Sequence, residues 1–212
     1  MFKFTYLMKR KPGFTPDQFN SRWRQHGALG MSTPFADATL VYVQAEPLRP
    51  APIAGASLDY DAVAWLVVAD EAFAPDPSPQ VREGQARMAE DETHTFDGAC
   101  SSGLFFVHPK VLVAGDPGGF TAFLYYADAG KAEAAAEAFV GQPGLSRLVV
   151  NLRRDDMALP QPCTLPYRAV VEVAASSVRG LKQVIEGTPL PAQPDLLVAT
   201  REVVFWDKLS RA

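Results

Sequence analysis

Residues 2–19 read Phe2-Lys3-Phe4-Thr5-Tyr6-Leu7-Met8-Lys9-Arg10-Lys11-Pro12-Gly13-Phe14-Thr15-Pro16-Asp17-Gln18-Phe19. Strand side chains alternate, so Phe2, Phe4, Tyr6 and Met8 share one face and predict a strand over Phe2–Lys9. Pro12-Gly13 supplies the turn. Thr15 then suits a helix N-cap, Pro16 the first helical position, and Gln18 the third, where its amide completes a capping box. Asp17 meets the positive end of the helix dipole. The predicted helix runs to about Gly27 or Gly30, with Phe19, Trp23 and His26 at i, i+4 and i+7 on one face.

Downstream, Thr39–Ala45 reads as a second strand and Asp61–Ala69 as a third, separated by a Pro/Ala-rich connection from Pro47 to Tyr60. Ser78-Pro79 starts a second helix that puts Val81, Met88 and Phe96 roughly in line and ends near Gly98. Leu104–His108 is a fourth strand, and Pro109 marks an edge. The order is βαββαβ, the ferredoxin-like split. The second half repeats it: strands over Phe120–Ala127, Leu145–Arg153, Tyr167–Ala174 and Val198–Lys208, helices over Asp128–Val140 and Ser177–Glu186, and a Pro-rich connection at Met157–Pro166. The flexible joint Ala114–Gly119 divides the chain into repeats 1–114 and 115–212. Runs such as Ala64-Trp65-Leu66-Val67-Val68 are apolar without alternation, which requires burial on both faces. The expected fold is therefore α+β: two tandem ferredoxin-like βαββαβ repeats packed sheet to sheet as an intrachain α/β barrel.

Composition narrows the function classes. With 212 residues, 48% apolar and 21% charged, the chain is neither disordered, collagen-like nor a coiled coil. Its net charge is −4 and no basic patch offers a surface to nucleic acid or an anionic membrane. Lys9-Arg10-Lys11 reads as a solvated strand end. No apolar stretch nears the roughly 20 residues of a membrane span, and the N-terminus has no leader pattern, so a cytoplasmic location is expected. Cys100 and Cys163 lack metal spacing and read as free thiols, with no metal site expected. Nucleotide, phosphoryl-transfer, triad and zinc-protease motifs are all missing. A fused barrel needs no partner subunit, although edge strands or apolar outer faces still allow a homodimer.

Tyr6 to Phe19, with Trp23 and His26-Gly27, resembles the opening of the EthD family, named for a component of ethyl tert-butyl ether degradation, within the dimeric α/β-barrel superfamily. The agreement falls at Lys9, Arg10, Pro12, Gly13, Phe19, Trp23, His26 and Gly27; Asp91-Glu92 and Phe96-Asp97 also look family-like, and the resemblance covers Met1 to about Lys110. The second half departs. Its first helix is nearly all alanine, with Lys131, Glu133 and Glu137 and no matching Trp, His or Gly. The resemblance thus implies one pocket, with the second repeat standing in for the partner that single-repeat members recruit. Relatives with this barrel include cofactor-free monooxygenases, cyclases, dehydratases, haem-handling enzymes and proteins of no known activity, so the fold alone selects no reaction.

His26 is the candidate catalytic residue, because imidazole exchanges protons near neutrality. The competing reading is a core histidine bonded to a backbone carbonyl at the helix end. Trp23 is a candidate wall for a substrate pocket, and the Tyr6 and Tyr42 hydroxyls could orient a phenol or carbonyl if they face the helices; otherwise they are core aromatics. Trp65 reads as barrel filling, Glu90–His94 as an exposed acidic helix face, and His108 ranks below both other histidines. No cofactor is expected; haem on His26 is the lesser alternative. Two functions follow. One is an EthD-type enzyme, a cofactor-independent oxygenase, dehydratase or isomerase acting on a small apolar or aromatic molecule. The other is a non-catalytic barrel that binds a small molecule or serves as a scaffold.

Overall fold

The structure, a computed structural model, describes residues 1–73, 78–157 and 162–210. Strands β1 (Phe2–Met8), β2 (Thr39–Pro47), β3 (Ala62–Val68) and β4 (Leu104–Val113) form the first sheet. Strands β5 (Phe120–Tyr126), β6 (Leu145–Arg153), β7 (Ala169–Ala175) and β8 (Leu196–Asp207) form the second. Helices α1 (Pro16–Met31) and α3 (Pro79–Thr95) belong to the first repeat, α5 (Ala129–Phe139) and α6 (Val178–Gly187) to the second. Two four-residue helices, α2 (Phe35–Ala38) and α4 (Cys100–Gly103), and a 3-10 turn at Asp70–Phe73 were not foreseen in the sequence. Residues 158–161 of the expected Met157–Pro166 connection lie outside the described residues.

The strands close into a barrel in the order β1-β3-β2-β8-β5-β7-β6-β4, every neighbouring pair antiparallel. Closure depends on the two long strands. The first part of β4 pairs with β1 (Phe106↔Phe4) and its later part with β6 (Lys110↔Val150). Likewise β8 pairs first with β5 (Val198↔Phe123) and then with β2 (Val203↔Gln44). Each fourth strand thereby leaves its own sheet and seals the free edge of the other. Pro109 consequently does not mark an edge: β4 continues through it, opposite Asn151. Proline lacks only its own donor, and the ladder on either side carries the strand past it.

Alternation sorts β1 between two environments. Phe4, Tyr6 and Met8 pack outward in a cluster with Phe19 and Trp23 of α1, while Leu7 packs inward with Val43, Trp65 and Phe123. The barrel interior is not wholly apolar. Lys3 bonds Glu172 at 2.6 Å, both less than a tenth exposed, and Asn151 donates to the same carboxylate at 2.8 Å. Arg147 forks onto Glu202, which also accepts from Trp65 Nε1 at 3.2 Å. The Lys3 ammonium sits 4.6 Å from the Trp65 ring centre, a cation–π contact. Burial raises the Glu172 carboxyl, but Lys3 and Arg147 outweigh it and hold the net value below the usual carboxylate range. Glu172 is therefore ionised, and its contribution to stability is lost only as pH falls through that depressed value.

In the second repeat the outer layer is filled. Ala132, Ala135, Ala136 and Phe139 of α5 and Leu181 of α6 are fully buried against the sheet. Alanine allows the helix to lie close, so little space is left beneath it.

Lys3 and Glu172 are paired at 2.6 Å inside the barrel, so removing Glu172 leaves the Lys3 ammonium buried without its closest counter-charge. Glu172→Leu is expected to lower stability by about 3–5 kcal/mol in urea unfolding, and Lys3→Met combined with Glu172→Leu by less than Glu172→Leu alone. A double variant as damaged as the single, or more so, would contradict this account.

Candidate functional site

Helix α1 starts as its sequence dictates. Gln18 N–H donates to Thr15 Oγ1 at 3.3 Å and Thr15 N–H to Gln18 Oε1 at 2.9 Å, a complete capping box with Pro16 next to it. The cap fixes the helix phase, which turns Phe19, Trp23, His26 and Gly27 inward. Gly27 gives α1 its close approach to β2. A Cβ at that position would stand 2.7 Å from Gln44 Nε2 and 3.2 Å from Tyr42 Cε1. The basic run ahead of α1 is not simply solvated: Arg10 pairs with Asp61 and donates to Phe14 O at 2.9 Å, which ties the strand end to the turn.

Between α1, α3 and the first sheet lies a cavity of about 300 Å³. Helix α3 lines it with Val81, Gln85, Met88 and Glu92, spaced i, i+4, i+7 and i+11 along one stripe. Tyr6 and Tyr42 line the sheet side, His26 the α1 side. This volume lies at the small end of ligand sites, and the walls are mainly apolar with a few polar groups, the usual make-up of such sites.

His26 is 5% exposed. Its Nδ1 lies 2.7 Å from Asp91 Oδ2, and Asp91 also pairs with Arg22. The core-histidine reading, with a backbone carbonyl as partner, is therefore corrected: the partner is a carboxylate on another helix. Burial lowers the imidazole pKa, and this outweighs the opposing pull of Asp91. Burial pushes the Asp91 carboxyl up, but the hydrogen bonds from Arg22 and His26 bring it below its ordinary value. At neutral pH the ring is thus uncharged, with Nδ1–H donating to a fixed carboxylate. That tautomer leaves Nε2 as the basic nitrogen.

Trp23 does not wall the cavity. It is fully buried, stacks on Phe19 with ring centres 5.7 Å apart, and donates Nε1–H to Tyr6 OH at 2.9 Å. It stands behind the tyrosine instead. Tyr6 and Tyr42 do face the helices, with hydroxyls 3.3 Å apart. Gln44 donates to Tyr42 OH at 2.8 Å and to Trp23 O at 3.1 Å, a role the sequence reading missed. Asp91 and Glu92 stood out only through the family resemblance; read by itself, the acidic run Glu90–His94 was expected to be an exposed face. Of that run, His94 is exposed, whereas Glu92 is partly covered, lines the cavity and accepts from Cys100 N–H at 3.0 Å. Burial pushes the Glu92 carboxyl and the Cys100 thiol up. Trp65 and His108 lie away from this cavity, Trp65 within the barrel and His108 on β4 opposite Leu152. No cluster of metal-ligating side chains occurs among the described residues, and no helix there is long and apolar enough to cross a membrane.

No family model and no curated protein matches the chain. Among solved structures, a candidate chlorite dismutase is similar at 9% identity and a TM-score of 0.54, covering 97% of this chain and 96% of its own. A candidate monooxygenase from Fusobacterium nucleatum subsp. nucleatum is similar at 8% identity and a TM-score of 0.51, covering 98% of each chain. At these identities the likeness is one of fold alone: a closed eight-stranded antiparallel barrel with helices between its strands. EthD membership is not part of what they show.

Gly27→Ala should improve intrinsic helix propensity and still destabilise the protein by about 1–3 kcal/mol through overpacking against Gln44 and Tyr42. Gly187→Ala, where a Cβ meets nothing within 4 Å, is the control and should leave the thermal midpoint nearly unchanged. Equal midpoints for both variants would show that α1 has room at Gly27.

Proposed function

We propose that the protein is an EthD-type α/β-barrel enzyme that binds a small apolar or aromatic molecule in the α1–α3 cavity, with His26 as its general base. The observation that carries the reading is the His26–Asp91 pair: a buried, uncharged imidazole with its tautomer fixed, on the wall of an apolar cavity. Asp91 and Arg22 are positioning residues, which hold the ring without touching the ligand. His26 Nε2 takes a proton from an activated C–H or O–H of the bound molecule. The resulting anion can take the proton back from His26 at another carbon, which is isomerisation; it can expel a β-hydroxyl as water, the leaving oxygen taking the proton from His26, which is dehydration; or it can give its electron pair to dioxygen, forming a C–O bond to a peroxide that takes the proton from His26, which is oxygenation. Tyr6 or Tyr42 supplies an orienting hydroxyl. Haem on His26 fits poorly, since about 300 Å³ is less than a tetrapyrrole occupies.

2-Tetralone, a fused bicyclic ketone with acidic α-hydrogens, tests this. In D₂O the protein should accelerate α-hydrogen exchange, followed by NMR, and His26→Gln should reduce the acceleration by about 10²-fold or more. The rate should rise with pH along a limb below the ordinary histidine value and be level at neutrality, because only the unprotonated ring is active. Asp91→Asn removes the interaction that raises the His26 pKa, so the limb should move to lower pH while the plateau falls. Exchange unaffected by His26→Gln would end the catalytic reading; tight binding with no exchange would favour the non-catalytic barrel.

A further inference from the structure

The tyrosine pair carries a hydrogen-bond count that does not close within the protein. Each phenol has one proton to donate and lone pairs to accept with. Tyr6 OH accepts from Trp23 Nε1–H at 2.9 Å, and Tyr42 OH accepts from Gln44 Nε2 at 2.8 Å. Both incoming bonds are donors, so neither consumes a hydroxyl proton. The two hydroxyls are 3.3 Å apart, and only one can donate to the other. One proton of the two is then left without an acceptor.

Gln44 Oε1 is not that acceptor, since it has no hydrogen-bond partner. Turning the amide over would not help, because Oε1 would then face the carbonyl oxygen of Trp23, which Nε2 now contacts at 3.1 Å. Both tyrosines are about 5% exposed and both line the cavity, so the acceptor for this proton has to come from the cavity, either a water or the molecule that displaces it. A buried donor without a partner is costly, which makes its placement at a ligand cavity informative.

We propose that Tyr6 and Tyr42 form a composite oxygen site presenting one unclaimed O–H to the cavity, and that the ligand is an apolar molecule carrying an acceptor oxygen: a ketone, ester or other carbonyl compound, or its enolate. This rests on reading the cavity as a ligand site and specifies what that site selects. Burial pushes Tyr6 well above the usual phenol range and Tyr42 to about 12, so both stay protonated as donors. Trp23 and Gln44 are positioning residues, each occupying a lone pair so that the free proton points outward. If His26 removes an α-proton, negative charge accumulates on the carbonyl oxygen, where this O–H stabilises it.

The count makes an unusual mutational prediction. In Tyr6→Phe, Tyr42 still accepts from Gln44 and its proton is released to the ligand. In Tyr42→Phe, Tyr6 still accepts from Trp23 and its proton is likewise released. Each single variant keeps one free donor, and only the double variant has none. The probes are 2-tetralone labelled with ¹³C at the carbonyl and tetralin, the hydrocarbon of the same shape. On the wild type the carbonyl stretch should shift to lower frequency, and 2-tetralone should bind roughly tenfold tighter than tetralin. Both single variants should keep the shift and most of the preference; the double variant should lose both. An unshifted stretch in the wild type, or a shift that survives in the double variant, overturns the oxygen site while leaving the cavity and His26 untouched. Failure of both probes to bind would overturn the ligand-site reading and the oxygen site with it.

Discussion

Unpaired strand edges are the constraint from which the rest of this architecture follows. A four-stranded sheet exposes a row of peptide groups along each side, and those groups need partners. Here each sheet lends its fourth strand to the other: β4 runs from β1 onto β6, and β8 runs from β5 onto β2. Closure also fixes register. A slip of one residue in β1 would turn Tyr6 into the barrel and Lys3 out beneath the helices. The pairing of Lys3 with Glu172 and the packing of Tyr6 on Trp23 exclude that slip from opposite faces.

The two repeats use one plan for different ends. Under α5 and α6 the layer is filled, with four α5 side chains and Leu181 fully buried. Under α1 and α3 a cavity remains. Its origin is local: Gly27 brings α1 near β2, Gly84 brings α3 near Thr33, and Gly30 leaves room that the Met88 side chain borders. The two helices are thus close to each other, while the cavity between them and the sheet is bordered by Tyr42 and Leu66. Hollow space forfeits packing.

Much of this could be read from residue order. The cap at Thr15, the alternation in Phe2–Met8 and the repetition of βαββαβ are local signals, and the elements they predict are present. Legibility ended where partners are remote. Glu172 lies in an otherwise apolar strand, which signals a buried charge needing compensation, but nothing near it names Lys3. Glu92 was hidden differently. A run of charges on a helix usually faces solvent, yet Gln85 and Glu92 lie in register with Val81 and Met88, so polar residues interrupt the apolar stripe itself. That interruption was the available sign of a lined cavity. Trp23 was assigned the correct face and the wrong depth, because periodicity gives the direction of a side chain and not the number of layers beyond it.

The chemistry of the cavity depends on one balance of burial and charge. A fully solvated histidine is partly protonated near neutrality; an isolated buried one is neutral but free to take either tautomer. Asp91 resolves the second problem without reversing the first. It is near enough to claim Nδ1–H, and Arg22 draws on the same carboxylate from its other oxygen. That sharing weakens the pull of Asp91 on the imidazole proton, so burial still dominates and the ring remains neutral. Arg22 also keeps Asp91 ionised, so the acceptor persists where a lone buried carboxyl would take up a proton. Removing Arg22 would therefore strengthen the hold of Asp91 on His26 and raise the imidazole pKa, making the base more often protonated even though its position is unchanged. The arginine acts on proton affinity through the carboxylate, which explains why a cation stands so close to a residue that has to remain uncharged.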